Sequence, residues 1–283
     1  MTEKLEWEGR VGRSWAGEWR RTDRSFAALT RRLVAAAAAE PFARALDIGC
    51  GAGEVSLALA ERRPDGQVVG VDVSEDLLSV ARDRAQGRAQ GRPRGRGSVA
   101  FECADAAAWS RPGFAPDLLV SRHGVMFFAD PVAAFAHLAA IAAPGARLAF
   151  TCFRAAAENE WARGLASLLP DGAGAPPPPG RPGPFAFADS DHVGQVLGRA
   201  GWRDATFEPV DFPYLAGEGA EAVEDALTYF LVIGPAARAA AQLVGPARAD
   251  FITRLRALLA GWEDGGRIAP QAAAWLVEAR APG

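Results

Sequence analysis

Three glycines at alternate positions follow an apolar run in the first third of the chain. In "ALDIGCGAGEVS", Gly49, Gly51 and Gly53 stand as G-x-G-x-G between a strand pattern and a helix pattern. Glycines in such a turn let main-chain N–H groups and a partly positive helix terminus approach a ligand closely. A dinucleotide fingerprint would need a glycine where Glu54 stands, and a carboxylate there faces a pyrophosphate unfavourably. The turn therefore predicts a nucleoside ligand whose polar groups are an amino acid and a ribose.

Two aspartates follow the next apolar runs. Asp72 ends "VVGVD", 19 positions after Gly53, close to the roughly 20 expected for a carboxylate that binds ribose hydroxyls. Asp105 lies in "ECADAAAW", just past the third apolar run, where it could accept a hydrogen bond from an adenine amino group. We therefore expect three strand ends to converge on one adenosine.

Short apolar runs alternate with helix patterns from Arg44 onward, which is typical of βαβ units and a parallel sheet. Strands are predicted near Arg44 to Ile48, Gln67 to Asp72, Val99 to Glu102, Asp117 to Ser121 and Ala146 to Phe153. Helices are predicted near Phe26 to Ala39, Glu54 to Arg62, Glu75 to Gln86, Pro131 to Ala142 and Ser190 to Ala200. In the last third, "DATFEPVDF" and "AAAWLVEAR" favour strands on either side of a helical block, Ala220 to Trp262, whereas Pro170 to Pro184 favours a loop.

Four linked motifs resemble those of the class I S-adenosylmethionine-dependent methyltransferases. They are "LDIGCGAGEVSLALA", "VVGVDVSEDLLSVAR", "FECADAAAW" and "DLLVSRHGVMFFADPVAAFAHLAAIAAPGARLAF". The chain is similar to small-molecule enzymes of the ubiquinone and menaquinone biosynthesis type. The resemblance implies an α/β fold with a Rossmann-like, seven-stranded, mostly parallel sheet, an antiparallel last strand, helices on both faces and a helical cap. It also implies a helical arm over 1–40, a cofactor-binding core over 41–155, and cap insertions with the remaining sheet elements over 156–283.

The resemblance also implies the cofactor, S-adenosyl-L-methionine, and a set of residues around it. Its methionine portion would lie against Asp47, Gly49, Cys50, Gly51 and Gly53, with Ser121 and Arg122 beside the methyl group. Asp72 would bind the ribose, Val73 would pack on the adenine, and Asp105 with Ala106 would meet the adenine edge. Of the tryptophans in the first 40 residues, Trp15 is the one expected to close over the cofactor.

His123, in "SRHGVMFF", is the histidine that falls at the end of a predicted strand beside the expected methyl group. Members of the family more often have an aromatic residue there. An imidazole could act as a general base for a hydroxyl or amino acceptor, or it could replace a phenyl ring in the cavity wall. His123 is therefore the candidate catalytic residue.

Composition and charge limit the partners. The chain has 283 residues, 49% hydrophobic and 23% charged, with a formal net charge of -3. We expect no membrane span, no nucleic-acid partner, a cytoplasmic location and a small acceptor, aromatic or otherwise apolar. Three separated cysteines indicate free thiols and no metal site. The sequence leaves the oligomeric state open, a homodimer included.

Two alternatives remain open. A regulatory protein that binds the cofactor without catalysis would keep the glycine turn and Asp72 but would need no acceptor site. An RNA methyltransferase would use the arginine-rich stretch from Arg84 to Arg96 to contact phosphates.

Overall fold

The apolar runs in the first half of the chain form parallel strands, as predicted. The computed structural model of the chain describes residues 4–89, 98–169 and 181–283. The strands are β1 (Arg44–Ile48), β2 (Gln67–Asp72), β3 (Ser98–Cys103), β4 (Leu118–Arg122), β5 (Arg147–Phe153), β6 (Arg203–Pro213), β7 (Gly217–Glu218), β8 (Glu263–Asp264), β9 (Arg267–Ile268) and β10 (Gln271–Arg280). The helices are α1 (Lys4–Trp7), α2 (Arg10–Gly17), α3 (Trp19–Ala37), α4 (Glu54–Arg62), α5 (Glu75–Ala89), α6 (Pro131–Ile141), α7 (Glu160–Ala166), α8 (Ser190–Arg199), α9 (Ala222–Val232), α10 (Gly234–Gln242) and α11 (Gly245–Ala260).

Seven of the described strands form the main sheet, in the order β3-β2-β1-β4-β5-β10-β6. The first five are parallel to one another, whereas β10 runs antiparallel to β5 and β6 between them. Side chains of β5 are buried along its whole length, as expected for a strand covered on both faces. The predicted fold class, including the antiparallel last strand, is confirmed.

Helix α3 packs against β4, β5 and β6 and begins at Trp19, seven residues earlier than the predicted Phe26. Phe26, Leu29, Leu33 and Ala37, spaced by three or four positions, are buried on its inner side. Burial of each large apolar side chain stabilises the fold by about 1.5–3 kcal/mol. The helix lies along the sheet, with Phe26 near Phe153 at the end of β5 and Ala37 near Arg147 at its start.

The predicted helical block consists of three helices, α9, α10 and α11. Gly234 and Gly245, at their junctions, have φ values of 80° and 55°, and a proline follows each of them. A positive φ interrupts the helix, and the proline restarts it because the first turn needs no donor at that position. A small sheet in the order β7-β9-β8, which the sequence did not indicate, lies beside this block.

Within residues 4–89, 98–169 and 181–283, no helix is long and apolar enough to cross a membrane, and no group of three or more histidine, cysteine, aspartate or glutamate residues could hold a metal ion. The cysteines Cys50, Cys103 and Cys152 are free thiols, as predicted.

Candidate functional site

A cavity of about 910 Å³ lies at the carboxyl ends of β1, β2 and β4. The strand order reverses between β1 and β4, which is where open α/β sheets place their ligands. The volume falls in the range of about 300–1,000 Å³ typical of small-molecule sites. This cavity, called the first cavity below, is the candidate functional site.

Most of the site residues predicted from the sequence line the first cavity. They are Asp47, Gly49, Cys50, Gly51, Asp72, Val73, Asp105, Ala106, Arg122, His123 and Trp15. Gly53 and Ser121 are not among the described residues that line this cavity. The Ser121 hydroxyl donates to the carbonyl oxygen of Ile48 at 2.7 Å and accepts from the Gly124 N–H, so it joins the ends of β1 and β4.

The glycine turn joins β1 to α4 with positive φ values of 64° at Gly49, 53° at Gly51 and 81° at Gly53. A Cβ atom at Gly53 would lie 2.8 Å from the Phe101 ring, and one at Gly49 would lie 2.9 Å from the Cα of Gly124. A Cβ at Gly51 would meet no described atom within 4 Å. Gly49 and Gly53 thus allow close packing behind the turn, whereas Gly51 leaves the main chain open beside the first cavity.

Asp72 fixes the shape of the same turn from the neighbouring strand. Its carboxylate accepts hydrogen bonds from the Gly51 N–H at 2.8 Å and from the Ser74 N–H at 2.9 Å. Burial raises the pKa of Asp72, although these N–H groups favour its ionised form. A carboxylate has about four acceptor positions, so oxygens already bonded to the backbone can still accept from ligand hydroxyls.

Asp47, the fourth residue of β1, is 1% exposed and accepts a hydrogen bond from the Ser56 hydroxyl at 2.6 Å. Burial raises the pKa of Asp47 to about 6, while the Ser56 bond and the charge of Arg122 oppose that rise. A cation bound in the first cavity would favour the ionised carboxylate. Asp47 is thus suited to bind a positively charged group.

Arg122 belongs to a charge cluster that also contains Asp23, Glu54 and Arg84. The Arg122 guanidinium pairs closely with Glu54, and it donates to the Thr30 hydroxyl at 2.8 Å. Asp23 on α3 lies 3.8 Å from Arg122 and 2.6 Å from Arg84. The cluster therefore ties α3 to both the glycine turn and α5, and much of the Arg122 charge is used within the protein.

His123 directly follows β4 and is 9% exposed. Its φ of 64° is unusual for a residue with a side chain, a conformation that costs about 1–3 kcal/mol. Its N–H donates to the Thr151 carbonyl oxygen at 3.0 Å, and its Nδ1 lies 3.1 Å from that oxygen and 3.0 Å from the Thr151 hydroxyl. These bonds hold the strained conformation in place.

The same contacts assign the tautomer of His123. Since a carbonyl oxygen only accepts, Nδ1 carries the proton and Nε2 has the free lone pair. Nε2 is buried and has no hydrogen-bond partner among the described residues. Burial, with a smaller effect of Arg122, lowers the pKa of His123 to about 3, so the ring is neutral at physiological pH. His123 is thus a neutral imidazole in the wall of the first cavity, and no described residue uses the acceptor at its Nε2.

The first helices cover the first cavity with three tryptophans, Trp7, Trp15 and Trp19. The ring centroids of Trp7 and Trp15 are 5.6 Å apart, and those of Trp7 and Phe127 are 5.2 Å apart. Trp15, the tryptophan expected to close over the cofactor, is one of these lining residues. Sequence reasoning missed Asp23 as a member of the wall, because its spacing within α3 marks only a helix surface.

A second cavity of about 570 Å³ adjoins the first, and Trp7, Trp15, Phe127 and Pro182 line both. Trp161 and Phe185 also line the second cavity. Other aromatic residues of the chain are buried core residues outside both described walls, among them Phe153, Phe187, Phe212, Tyr214 and Tyr229.

Comparison with known proteins identifies the part of the chain that carries this site. Residues 45–145 match the family model described as a methyltransferase domain. The chain is similar to a trans-aconitate 2-methyltransferase of Acidovorax sp. (strain JS42), with 38% identity over 37% of this chain and 36% of that protein. It is also similar to a demethylmenaquinone methyltransferase of Thermus thermophilus, with 36% identity over 42% of this chain and 50% of that protein. The chain thus spans half or less of the length of these curated relatives.

A solved structure supports the fold over a longer stretch. The structure of a putative methyltransferase from Bacillus halodurans C-125 superposes with a TM-score of 0.55 and 17% identity, covering 90% of this chain and 99% of that one. The sheet order, the cavity at its switch point and the matched domain agree with one another. Residues 45–145 are therefore a methyltransferase domain, and the chain is similar to class I S-adenosylmethionine-dependent methyltransferases.

Proposed function

We propose that this protein transfers a methyl group from S-adenosylmethionine to an oxygen or nitrogen atom of a small apolar or aromatic acceptor. The observation that carries the proposal is the buried, unshared lone pair of His123 Nε2 at the wall of the first cavity, the described residues giving it no partner. The two curated relatives are named for small molecules, trans-aconitate and demethylmenaquinone, which supports an acceptor of small size.

The residues of the first cavity fit the cofactor. Gly51 leaves the turn open beside the cavity, and the wall contains Asp47, Asp72 and Asp105. Acidic groups suit the ammonium, the ribose hydroxyls and the adenine amino group of this cofactor, and in this proposal each takes one of them. When bound, S-adenosylmethionine supplies a methyl group on a positively charged sulfur, already activated for displacement.

The remaining task of the protein is to orient the acceptor and receive its proton. His123 Nε2 accepts a hydrogen bond from the acceptor O–H or N–H, which directs the lone pair of that atom toward the methyl group. Thr151 holds the ring in the required tautomer. Trp7, Trp15 and Phe127 exclude water from the cavity they line.

Calorimetry and turnover test the proposal together. S-Adenosylhomocysteine should give saturable heat, whereas NADH should give none. With S-adenosylmethionine and a panel of phenols, carboxylic acids and amines, mass spectrometry should detect a methylated product of at least one acceptor. Saturation by NADH with no heat from S-adenosylhomocysteine would overturn both the cofactor and the reaction.

The two alternatives from the sequence have less support. A protein that only binds the cofactor has no need for the second cavity. In the arginine-rich stretch, Arg84 pairs with Asp23 and Arg88 pairs with Glu61, while residues 90–97 lie outside the described chain. The cytoplasmic location and the expected lack of a nucleic-acid partner stay predictions.

The raised pKa of Asp47 predicts a pH dependence of cofactor binding. If the ionised carboxylate pairs with the cofactor ammonium, protonation of Asp47 opposes binding, so affinity falls as the pH drops through about 6. We expect the affinity for S-adenosylhomocysteine to be about tenfold lower at pH 5 than at pH 7. Calorimetry across this range should also detect proton release below pH 6. Asp47→Asn should bind more weakly at pH 7 and lose most of the dependence; an equally steep dependence in this variant would exclude Asp47 as its source.

A further inference from the structure

The second cavity is lined mainly by apolar residues, many of them on helices α2, α7 and α10. Trp161 and Phe185 are stacked in its wall, with centroids 5.8 Å apart and an interplanar angle of 21°. Leu165 and Val11 complete this side. A flat, apolar molecule would gain contacts on such a surface.

The charged residues of the second cavity are all basic in its described wall. Arg10, Arg163 and Arg238 line it, and no aspartate or glutamate does. In the first cavity, by contrast, most charged residues of the described wall are acidic. They are Asp23, Asp47, Asp72, Asp105 and Asp130, beside Arg122 and Arg181. The whole chain has 31 basic and 34 acidic residues, so neither wall reflects composition alone.

Two of these arginines are not neutralised by their described surroundings. Arg10 on α2 and Arg163 on α7 form no ion pair with any described residue, although ion pairs involve many other arginines of the chain. Both side chains are exposed, which places their charge at the solvent edge of the cavity. An anionic group at this edge would meet two cations and no described acidic residue of the wall.

An unused donor lies where the two cavities meet. Trp7 lines both, and its Nε1 is buried with no hydrogen-bond partner among the described residues. An indole N–H only donates, so a ligand oxygen would satisfy it. Trp7 and His123, both in the wall of the first cavity, thus each hold a buried polar atom without a described partner, one a donor and the other an acceptor.

We infer that the second cavity binds the body of the methyl acceptor, and that this acceptor is an apolar, ring-containing anion. The inference rests on the proposed function for the identity of the reaction. The rings lie against Trp161 and Phe185, the anionic group lies at Arg10 and Arg163, and the atom to be methylated points to the first cavity. The expected acceptors are therefore those apolar, ring-containing molecules that also carry a negative charge.

Two fluorescent probes with the same rings test the charge preference. The anion is 8-anilinonaphthalene-1-sulfonate, and the neutral probe is N-phenyl-1-naphthylamine. Both are titrated against the full chain with the first cavity saturated by S-adenosylhomocysteine. The anion should bind about tenfold more tightly than the neutral probe, because each exposed pair contributes up to about fivefold.

Matched variants locate the effect. Arg10→Gln with Arg163→Gln should weaken binding of the anion about tenfold and leave the neutral probe within about twofold. Arg254→Gln with Arg256→Gln, on exposed positions of α11 outside both described walls, should change neither. Ala162→Trp, which adds an indole to the wall, should reduce binding of both probes while heat from S-adenosylhomocysteine shows that the variant is folded.

The outcomes separate the two proposals. Equal affinity for both probes in the unchanged protein, or no effect of removing Arg10 and Arg163, overturns the anionic acceptor even if S-adenosylhomocysteine binds. A charge preference that depends on these arginines in a protein that gives no heat with S-adenosylhomocysteine supports the anion site and overturns the methyltransferase function.

Discussion

Replacing Asp72 with alanine is expected to weaken binding of S-adenosylhomocysteine about 100-fold. A hydrogen bond to a charged group contributes about 1.5–3 kcal/mol, so losing two ribose contacts amounts to at least about two powers of ten. The substitution also removes the acceptor of the Gly51 N–H, 2.8 Å away, and so loosens the turn that holds the other end of the cofactor. Calorimetry with purified variants measures the change.

Two further variants make the result specific. Asp72→Asn keeps one acceptor oxygen and should lose less affinity than the alanine variant. Asp65→Ala, an exposed aspartate in the turn before β2, should bind as the unchanged protein does. If Asp72→Ala bound S-adenosylhomocysteine with unchanged affinity, the ribose would not lie at the end of β2, and the placement of the whole cofactor would have to be revised.

The positions of the residues expected to bind the cofactor could be predicted from the sequence, because they depend on local sequence patterns. Strands β1 and β2 have the predicted bounds, and each ends at the residue types that the motifs require. In a parallel sheet, the end of each strand falls at the same edge, so correct strand bounds bring Gly51, Asp72 and Asp105 together. Positive φ values at all three glycines of the turn follow from the same local requirement.

The acceptor side depends on contacts between distant parts of the chain, which no local pattern encodes. Arg122 was expected beside the methyl group, but its charge is paired with Glu54, which comes 68 positions earlier. The second cavity combines α2, α7 and α10. Ser121 has the right place in the motif, yet its hydroxyl is used to join β4 to β1. Side chains at a strand end can serve the ligand or the sheet, and only packing decides which.

His123→Phe is expected to reduce kcat by about 100-fold or more while leaving the affinity for S-adenosylhomocysteine within about threefold. General-base catalysis contributes about 10²–10⁴-fold, and phenylalanine fills similar space without an acceptor. The acceptor used is one that the unchanged protein methylates, and kcat is measured by product formation at saturating cofactor. His192→Phe on α8, a histidine outside both described cavity walls, is the control and should keep its rate. Full activity in His123→Phe would reduce the imidazole to a part of the cavity wall.

Glutamine at this position separates two roles of the imidazole. Its side-chain oxygen can accept a hydrogen bond but cannot take a proton at neutral pH. Recovery of much of kcat in His123→Gln would therefore show that orientation of the acceptor is sufficient. A loss equal to that of His123→Phe would show that proton transfer to Nε2 is needed.

The low pKa of His123 makes it a weak base in the free protein, but the charge balance of the step supports proton transfer to it. As the acceptor loses its proton to Nε2, the cavity loses the positive charge of the sulfonium, so one buried cation replaces another. The imidazolium formed keeps its Nδ1–H bond to Thr151, which favours the charged ring, whereas burial and the charge of Arg122 oppose it. Before the reaction, burial keeps the ring neutral and able to accept, since its pKa of about 3 lies far below physiological pH. We therefore expect kcat to show no loss from protonation of His123 between pH 8 and pH 5, whereas an ordinary histidine base would lose most of its activity over that interval.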